Sequence, residues 1–181
     1  KEVTAGVTVG GEYVYNGKDI EPTDITVMDG EAVIPNAEYT KVFENNKNAG
    51  TAKVTISNAE GGNYIVKGTG EFEIKKANIT VKPKDITKVY GDEPIFKLES
   101  DSDLITADEL ESFAQTAEFT SDGTAKTAPV TENGYVISAQ LKSSETDNLI
   151  LSVGGTGTLT VEKCIYKGTI NLPNVSDCLG G

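Results

Sequence analysis

The chain has 181 residues and a formal net charge of -12 at pH 7, from 16 basic and 28 acidic side chains with no histidine. Such a balance repels phosphate backbones and anionic lipid, so nucleic acid is excluded as a partner. No apolar run approaches the roughly 18 residues a membrane span needs, which excludes membrane insertion within this chain. Every basic residue is a lysine and tryptophan is absent, so imidazole acid–base chemistry, imidazole metal ligation and bidentate guanidinium recognition are all missing.

The chain opens at Lys1 with no initiator Met, basic leader or apolar leader core, and is expected to be a mature or excised piece of a longer protein. Alternation of apolar and polar residues predicts a first strand between Val3 and Val9, and Ile25 to Val27 predicts another before the Asp29-Gly30 turn. Ala52, Val54 and Ile56 alternate with Thr51, Lys53 and Thr55. After the Glu60-Gly61-Gly62-Asn63 turn, Phe72 and Ile74 alternate with Glu71, Glu73 and Lys75. Ile79 to Val81 opens a second series of strands. The pattern then breaks, because Thr106 and Glu109 have the spacing of a capping box and Ile105 with Leu110 that of a hydrophobic staple. Leu110, Phe113 and Ala114 fall on one helical face, which predicts a short helix over 107–114. The Asp122-Gly123 turn and the alternating Leu159 and Val161 complete the series. The fold class is mostly β, and the short connections favour antiparallel pairing because they cannot hold crossover helices.

A long-range repeat runs through these elements. Gly68-Thr69-Gly70-Glu71-Phe72-Glu73-Ile74 reappears 87 positions on as Gly155-Thr156-Gly157-Thr158-Leu159-Thr160-Val161. An aromatic–glycine pair heads each unit, Tyr15-Asn16-Gly17 with Pro22 and Tyr90-Gly91 with Pro94, and Tyr166-Lys167-Gly168 with Pro173 follows. The expected organisation is two tandem small β domains, 1–76 and 77–163, with 164–181 a C-terminal tail or the start of a third repeat. Only Lys75-Lys76-Ala77-Asn78 joins the last strand of one to the first of the next, which predicts an elongated rod with little hinge motion.

Several segments have the character of known families. Tyr13-Val14-Tyr15-Asn16-Gly17-Lys18, Glu38-Tyr39-Thr40, the run from Asn45 to Ile56 and Gly62-Asn63-Tyr64 resemble the bacterial Ig-like repeats of gut and Gram-positive surface proteins. Asn78-Ile79-Thr80-Val81, Lys88-Val89-Tyr90-Gly91-Asp92 and the closing Gly155 to Val161 resemble the MBG repeat of the YGx type. The resemblance covers about residues 10–163. It implies an Ig-like sandwich followed by a sandwich or β-grasp-like unit with one short helix. It further implies an extracellular setting, on the cell surface or secreted, with neighbouring repeats of the same chain as partners and adhesion to a surface glycan or a host or bacterial protein. Neither family carries a catalytic motif.

The residues themselves offer few sites. Asp92-Glu93, Asp101 with Asp103, and Asp108-Glu109-Glu111 are paired carboxylates, but a glycosidase would need two across a sugar-lined cleft, so solvated surface is the expectation. Asp101-Ser102-Asp103 offers oxygens to calcium without the spacing of an EF-hand loop. Tyr13, Tyr39, Tyr64 and Tyr135 are the candidate ligand-facing aromatics of a carbohydrate-binding module, set against a packing role for tyrosines that recur at repeat positions. Lys82, Asn148 and Glu118 are residue types that could form an intramolecular isopeptide bond, with surface lysine and turn asparagine as the default. Cys164 and Cys178 form the candidate disulfide, with free thiols as the alternative; closing a loop of this length would contribute about 3 kcal/mol in the chain-entropy model. No catalytic residue, metal ligand or cofactor is expected. The leading function is a non-catalytic spacer or adhesion segment, and a carbohydrate-binding module of a secreted glycosidase is the alternative.

Overall fold

The computed structural model describes residues 1–165 of the chain. The fold is mostly β, with several sheets and, among the described residues, one α-helix. The described residues cluster into two compact units, Lys1–Ala77 with Glu145–Ile150, and Asn78–Ser144 with residues 151–165.

The first unit is a pair of sheets. One takes β1 (Glu2–Thr4), β8 (Ile65–Lys75), β7 (Gly50–Asn58) and β6 (Tyr39–Glu44) in that order, with β3 (Tyr13–Val14) also paired to β8. The other takes β2 (Gly6–Val9), β4 (Ile25–Asp29) and β5 (Ala32–Val33). The chain thus changes sheets between Thr4 and Gly6 and returns at Tyr13. Val27 from one sheet and Val54, Ile56 and Val66 from the other meet in a core that also holds Val3, Ile25, Ile34 and Tyr39. Ala52, Phe72, Ile74 and Ile20 extend the apolar layer, with Tyr13 edge-on to Phe72 at 5.3 Å between ring centroids. Burying each such aliphatic side chain stabilises the unit by about 1.5–3 kcal/mol before chain entropy is counted. Strict alternation in β7 and β8 puts their polar residues on the outer face, where Lys53 pairs with Glu44 at 3.4 Å and Lys67 with Glu2 at 3.7 Å. Exposed pairs of this kind contribute about 0–1 kcal/mol, so they shape the surface more than they hold the fold.

The second unit is built on β9 (Ala77–Pro83), which lies between β11 (Leu98–Glu99) and β14 (Leu149–Val153). Its other sheet has the order β10 (Ile86–Val89), β15 (Gly157–Glu162), β13 (Tyr135–Gln140) and β12 (Glu118–Thr120). Ile79, Val81 and Pro83 on β9, Ile137 on β13 and Leu159 and Val161 on β15 are buried. The helix α1 (Ala107–Thr116) extends two residues beyond the 107–114 expected from sequence. Its capping box is complete: Thr106 Oγ1 accepts from the Glu109 backbone N–H, and the Glu109 carboxylate accepts from the Thr106 backbone N–H at 2.8 Å. Leu110, Phe113 and Ala114 form its half-buried stripe, as the spacing predicts.

Most pairings are antiparallel, but β1 with β8, β3 with β8 and β10 with β15 are parallel. The expectation drawn from short connections applies to strands adjacent in sequence. These partners are distant, Glu2 with Ile65 and Ile86 with Leu159, and everything between them serves as the crossover. Both parallel clasps end alike. The Tyr15 N–H donates to the Lys75 carbonyl and the Tyr90 N–H to the Glu162 carbonyl, each at 2.9 Å. The chain then turns through Gly17 (φ 76°) in one unit and Gly91 (φ 105°) in the other, a backbone region that favours glycine. The third aromatic–glycine pair, at Tyr166 and Gly168, lies outside the described residues.

Candidate functional site

Two neighbouring clefts of the second unit share part of their lining. The first, about 570 Å³, runs between α1 and the segment before and through β11, with Ile95, Phe96 and Leu98 on one wall and Ala107, Leu110 and Ala114 on the other. Phe96 stacks on Phe119 at 5.1 Å with 13° between the ring planes, and Ile95 is 77% exposed. The second, about 660 Å³, shares Lys84, Ile95 and Lys97 with the first and continues along β10 past Asp92 and Glu93 to Glu162.

Lys88 lines this second cleft and is buried, with 5% of its surface exposed. Its ammonium donates to the Ala125 carbonyl, which ties β10 to the loop after β12. Burial pushes its pKa below the ordinary 10.5, against an opposing pull from the carboxylates of Asp92 and Glu93. Strand parity could have found this residue, because Ile86 and Lys88 share the face turned away from Thr87 and Val89. In the first unit the equivalent register position is held by Tyr13: Tyr13 pairs with Ile74 as Lys88 pairs with Val161.

None of the four candidate ligand-facing tyrosines presents an exposed ring. Tyr13 is half-buried against Phe72, and its hydroxyl donates to the Gly10 carbonyl. Tyr39 is buried, which pushes its phenol up, and Lys41 Nζ sits 5.7 Å from its ring centroid. Tyr64 packs half-buried against the first core. The Tyr135 hydroxyl donates to the Pro129 carbonyl at 2.7 Å, which braces the loop before β13. In each case ring or hydroxyl is engaged with the fold.

The carboxylates are dispersed. Glu109 caps the helix, Glu93 pairs with Lys126 at 3.9 Å, and at Asp101-Ser102-Asp103 the Ser102 hydroxyl accepts from the Leu104 N–H. Among the described residues no group of three or more His, Cys, Asp or Glu is placed to hold a metal ion. Glu38 has a structural task that sequence reasoning missed. Its carboxylate accepts from both the backbone and the side-chain amide of Asn63, and these bonds hold its pKa below 4.5.

The three isopeptide candidates each have a different partner. Lys82 Nζ pairs with Glu99 at 3.2 Å, and that carboxylate raises the lysine pKa. Asn148 accepts from the Ala49 N–H at 2.9 Å and donates to the Asn48 side chain, and Glu118 lies 3.7 Å from Lys142. The Cys164–Cys178 pairing involves Cys178, which is outside the described residues. Among the described residues no helix is long and apolar enough to cross a membrane. No family model matches the chain, and no curated protein matches it.

Proposed function

We propose that the chain is a non-catalytic spacer or adhesion segment of a bacterial cell-surface or secreted protein, made of repeated β units. The observation that carries this reading is the recurrence of one device, a parallel clasp closed by the Tyr15 amide in the first unit and the Tyr90 amide in the second. A protein that repeats its closing device while changing the loops between is repeating a structural task. Three of the side chains with shifted protonation lend support: Glu38, Lys82 and Lys88 each bond to another part of the fold, as a scaffold requires. In this reading the partners are neighbouring repeats of the same chain and a surface glycan or a host or bacterial protein.

The test is labelling of intact bacteria that produce the parent protein, or of their medium, with an antibody raised against this chain. Labelling outside the cell is the expected result, and a signal seen only after lysis overturns the reading. A glycan array distinguishes the alternative, a carbohydrate-binding module, which gains support if binding is lost on substituting Tyr64 or Tyr135.

A further inference from the structure

We infer that each unit is a load-bearing element, in which tension along the chain is resisted in shear by the parallel clasp. The inference rests on the proposed role as a surface segment and adds what that segment withstands.

In the first unit the chain enters at Lys1, level with Asn63 and Ile65, and leaves at Lys75, at the far end of the 11-residue β8. Glu2, Val3 and Thr4 pair in parallel with Ile65, Val66 and Lys67, and Tyr13 and Val14 with Ile74 and Lys75. Tension applied to the two ends draws β1 and β3 one way and β8 the other. Because the partners are parallel, they must slide past one another. The evenly spaced bonds of a parallel ladder then share the load and must fail together. An antiparallel hairpin pulled at adjacent ends instead peels one bond at a time.

The second unit repeats part of this geometry. Its entry strand β9 lies in the other sheet, beside β14. Its last strand β15 pairs in parallel with the next strand, β10, over Ile86 to Val89 and Leu159 to Glu162, where the Tyr90 amide adds a bond beyond the register. In both units a parallel pairing of the last strand with an early strand therefore lies between entry and exit. Beneath each clasp the last strand also carries the buried residues Phe72 and Ile74, or Leu159 and Val161, so sliding would drag core side chains past their neighbours. Forced unfolding is governed by the barrier to leaving the native state, which this arrangement raises along one direction only.

The test is single-molecule stretching of the whole chain with two handle placements. Handles at the chain ends load the clasps in shear. Handles at Thr4 and Thr40 pull across the first sheet, because these exposed residues stand at its two edges in one row through Lys67 and Ser57. The expected result is an unfolding force at least about twofold higher for the end-to-end pull, since several bonds share the load. An equal or lower force overturns the inference. Tyr15→Pro, which deletes one clasp donor, should lower the end-to-end force of the first unit; a folded variant with unchanged force also counts against it. If that variant does not fold, the comparison of pulling directions in the unmodified chain decides. Surface labelling is unaffected by a mechanical failure, so the two readings fail separately.

Discussion

Gly70 and Gly157 hold the same position in the two units, each beneath the segment that crosses the last strand. A Cβ on Gly70 would stand 2.8 Å from Val7 Cγ1, and one on Gly157 would stand 2.6 Å from the Pro83 carbonyl oxygen and 3.0 Å from that of Lys84. The second glycine of the Gly-Thr-Gly repeat thus marks, in both units, a close approach that leaves no room for a side chain, whereas Gly155, the first glycine of the second copy, has nothing within 4 Å.

Substitution at these positions should be graded. Gly157→Ala pushes on backbone that cannot rotate away and should cost about 1–3 kcal/mol, the usual range for overpacking. Gly70→Ala meets mainly a side chain and should cost less. Gly6→Ala, with nothing within 4 Å of its Cβ, should be neutral or mildly stabilising. Urea denaturation orders the three, and a Gly157 variant as stable as the Gly6 variant would contradict the close approach.

Lys88 makes stability depend on pH in the alkaline range. Its folded pKa lies below the 10.5 of the unfolded chain, so between those values the unfolded state binds more protons. Stability should therefore rise as pH climbs through that window and level off above it. Lys88→Met removes this dependence and leaves the Ala125 carbonyl without its donor, a loss of about 1–3 kcal/mol set against relief from burying a charge. The check is the difference in stability between wild type and variant across the window. A constant difference would show that Lys88 is not titrating there.

Glu38 acts at the acid end. Its carboxyl is held below 4.5 by Asn63, so its contribution is present above the unfolded value and lost as pH falls through the lowered folded value. Glu38→Gln should flatten that part of the acid-denaturation curve. Chemical-shift titration of the Glu38 carboxyl checks the direction, and a midpoint at or above 4.5 would contradict it.

The helix cap is a local and separable element. Thr106→Ala should destabilise by about 1 kcal/mol, while Thr106→Ser should retain most of the cap. Circular dichroism and urea midpoints of the two variants test this, and equal losses would mean that the Oγ1 bond to the Glu109 amide contributes nothing.

What the sequence disclosed follows the range of the interactions. The Thr106–Glu109 capping box and the alternation of Ala52, Val54 and Ile56 are written in neighbouring residues, and the structure contains both. The repeat is also legible: its back halves are offset by 87 and its aromatic–glycine pairs by 75, a difference close to the length of the inserted helix. The parallel pairings are not legible in the same way, because Glu2 finds Ile65 only through tertiary structure. Composition alone does not say which tyrosines face water. Tyr13 and Tyr135 are placed by single hydrogen bonds to Gly10 and Pro129 that no local pattern announces. Lys88 lay within reach of strand parity, but a lone lysine among threonines and valines reads as surface until the loop carrying Ala125 receives its ammonium.

The position of β8 at the end of the first unit sets the timing of birth as well as of rupture. A ribosome that has made the chain only as far as Asn58 has synthesised β1, β3 and β7, and the strand all three need is still missing. Val3, Val54 and Ile56 are then apolar surface without a lid. Synthesis of the 11 residues of β8 takes roughly 0.5–2 s at ~5–20 residues per second. During that interval the nascent chain is a substrate for holding chaperones and proteases, and codon choice over Ile65–Lys75 becomes a means of lengthening or shortening its exposure.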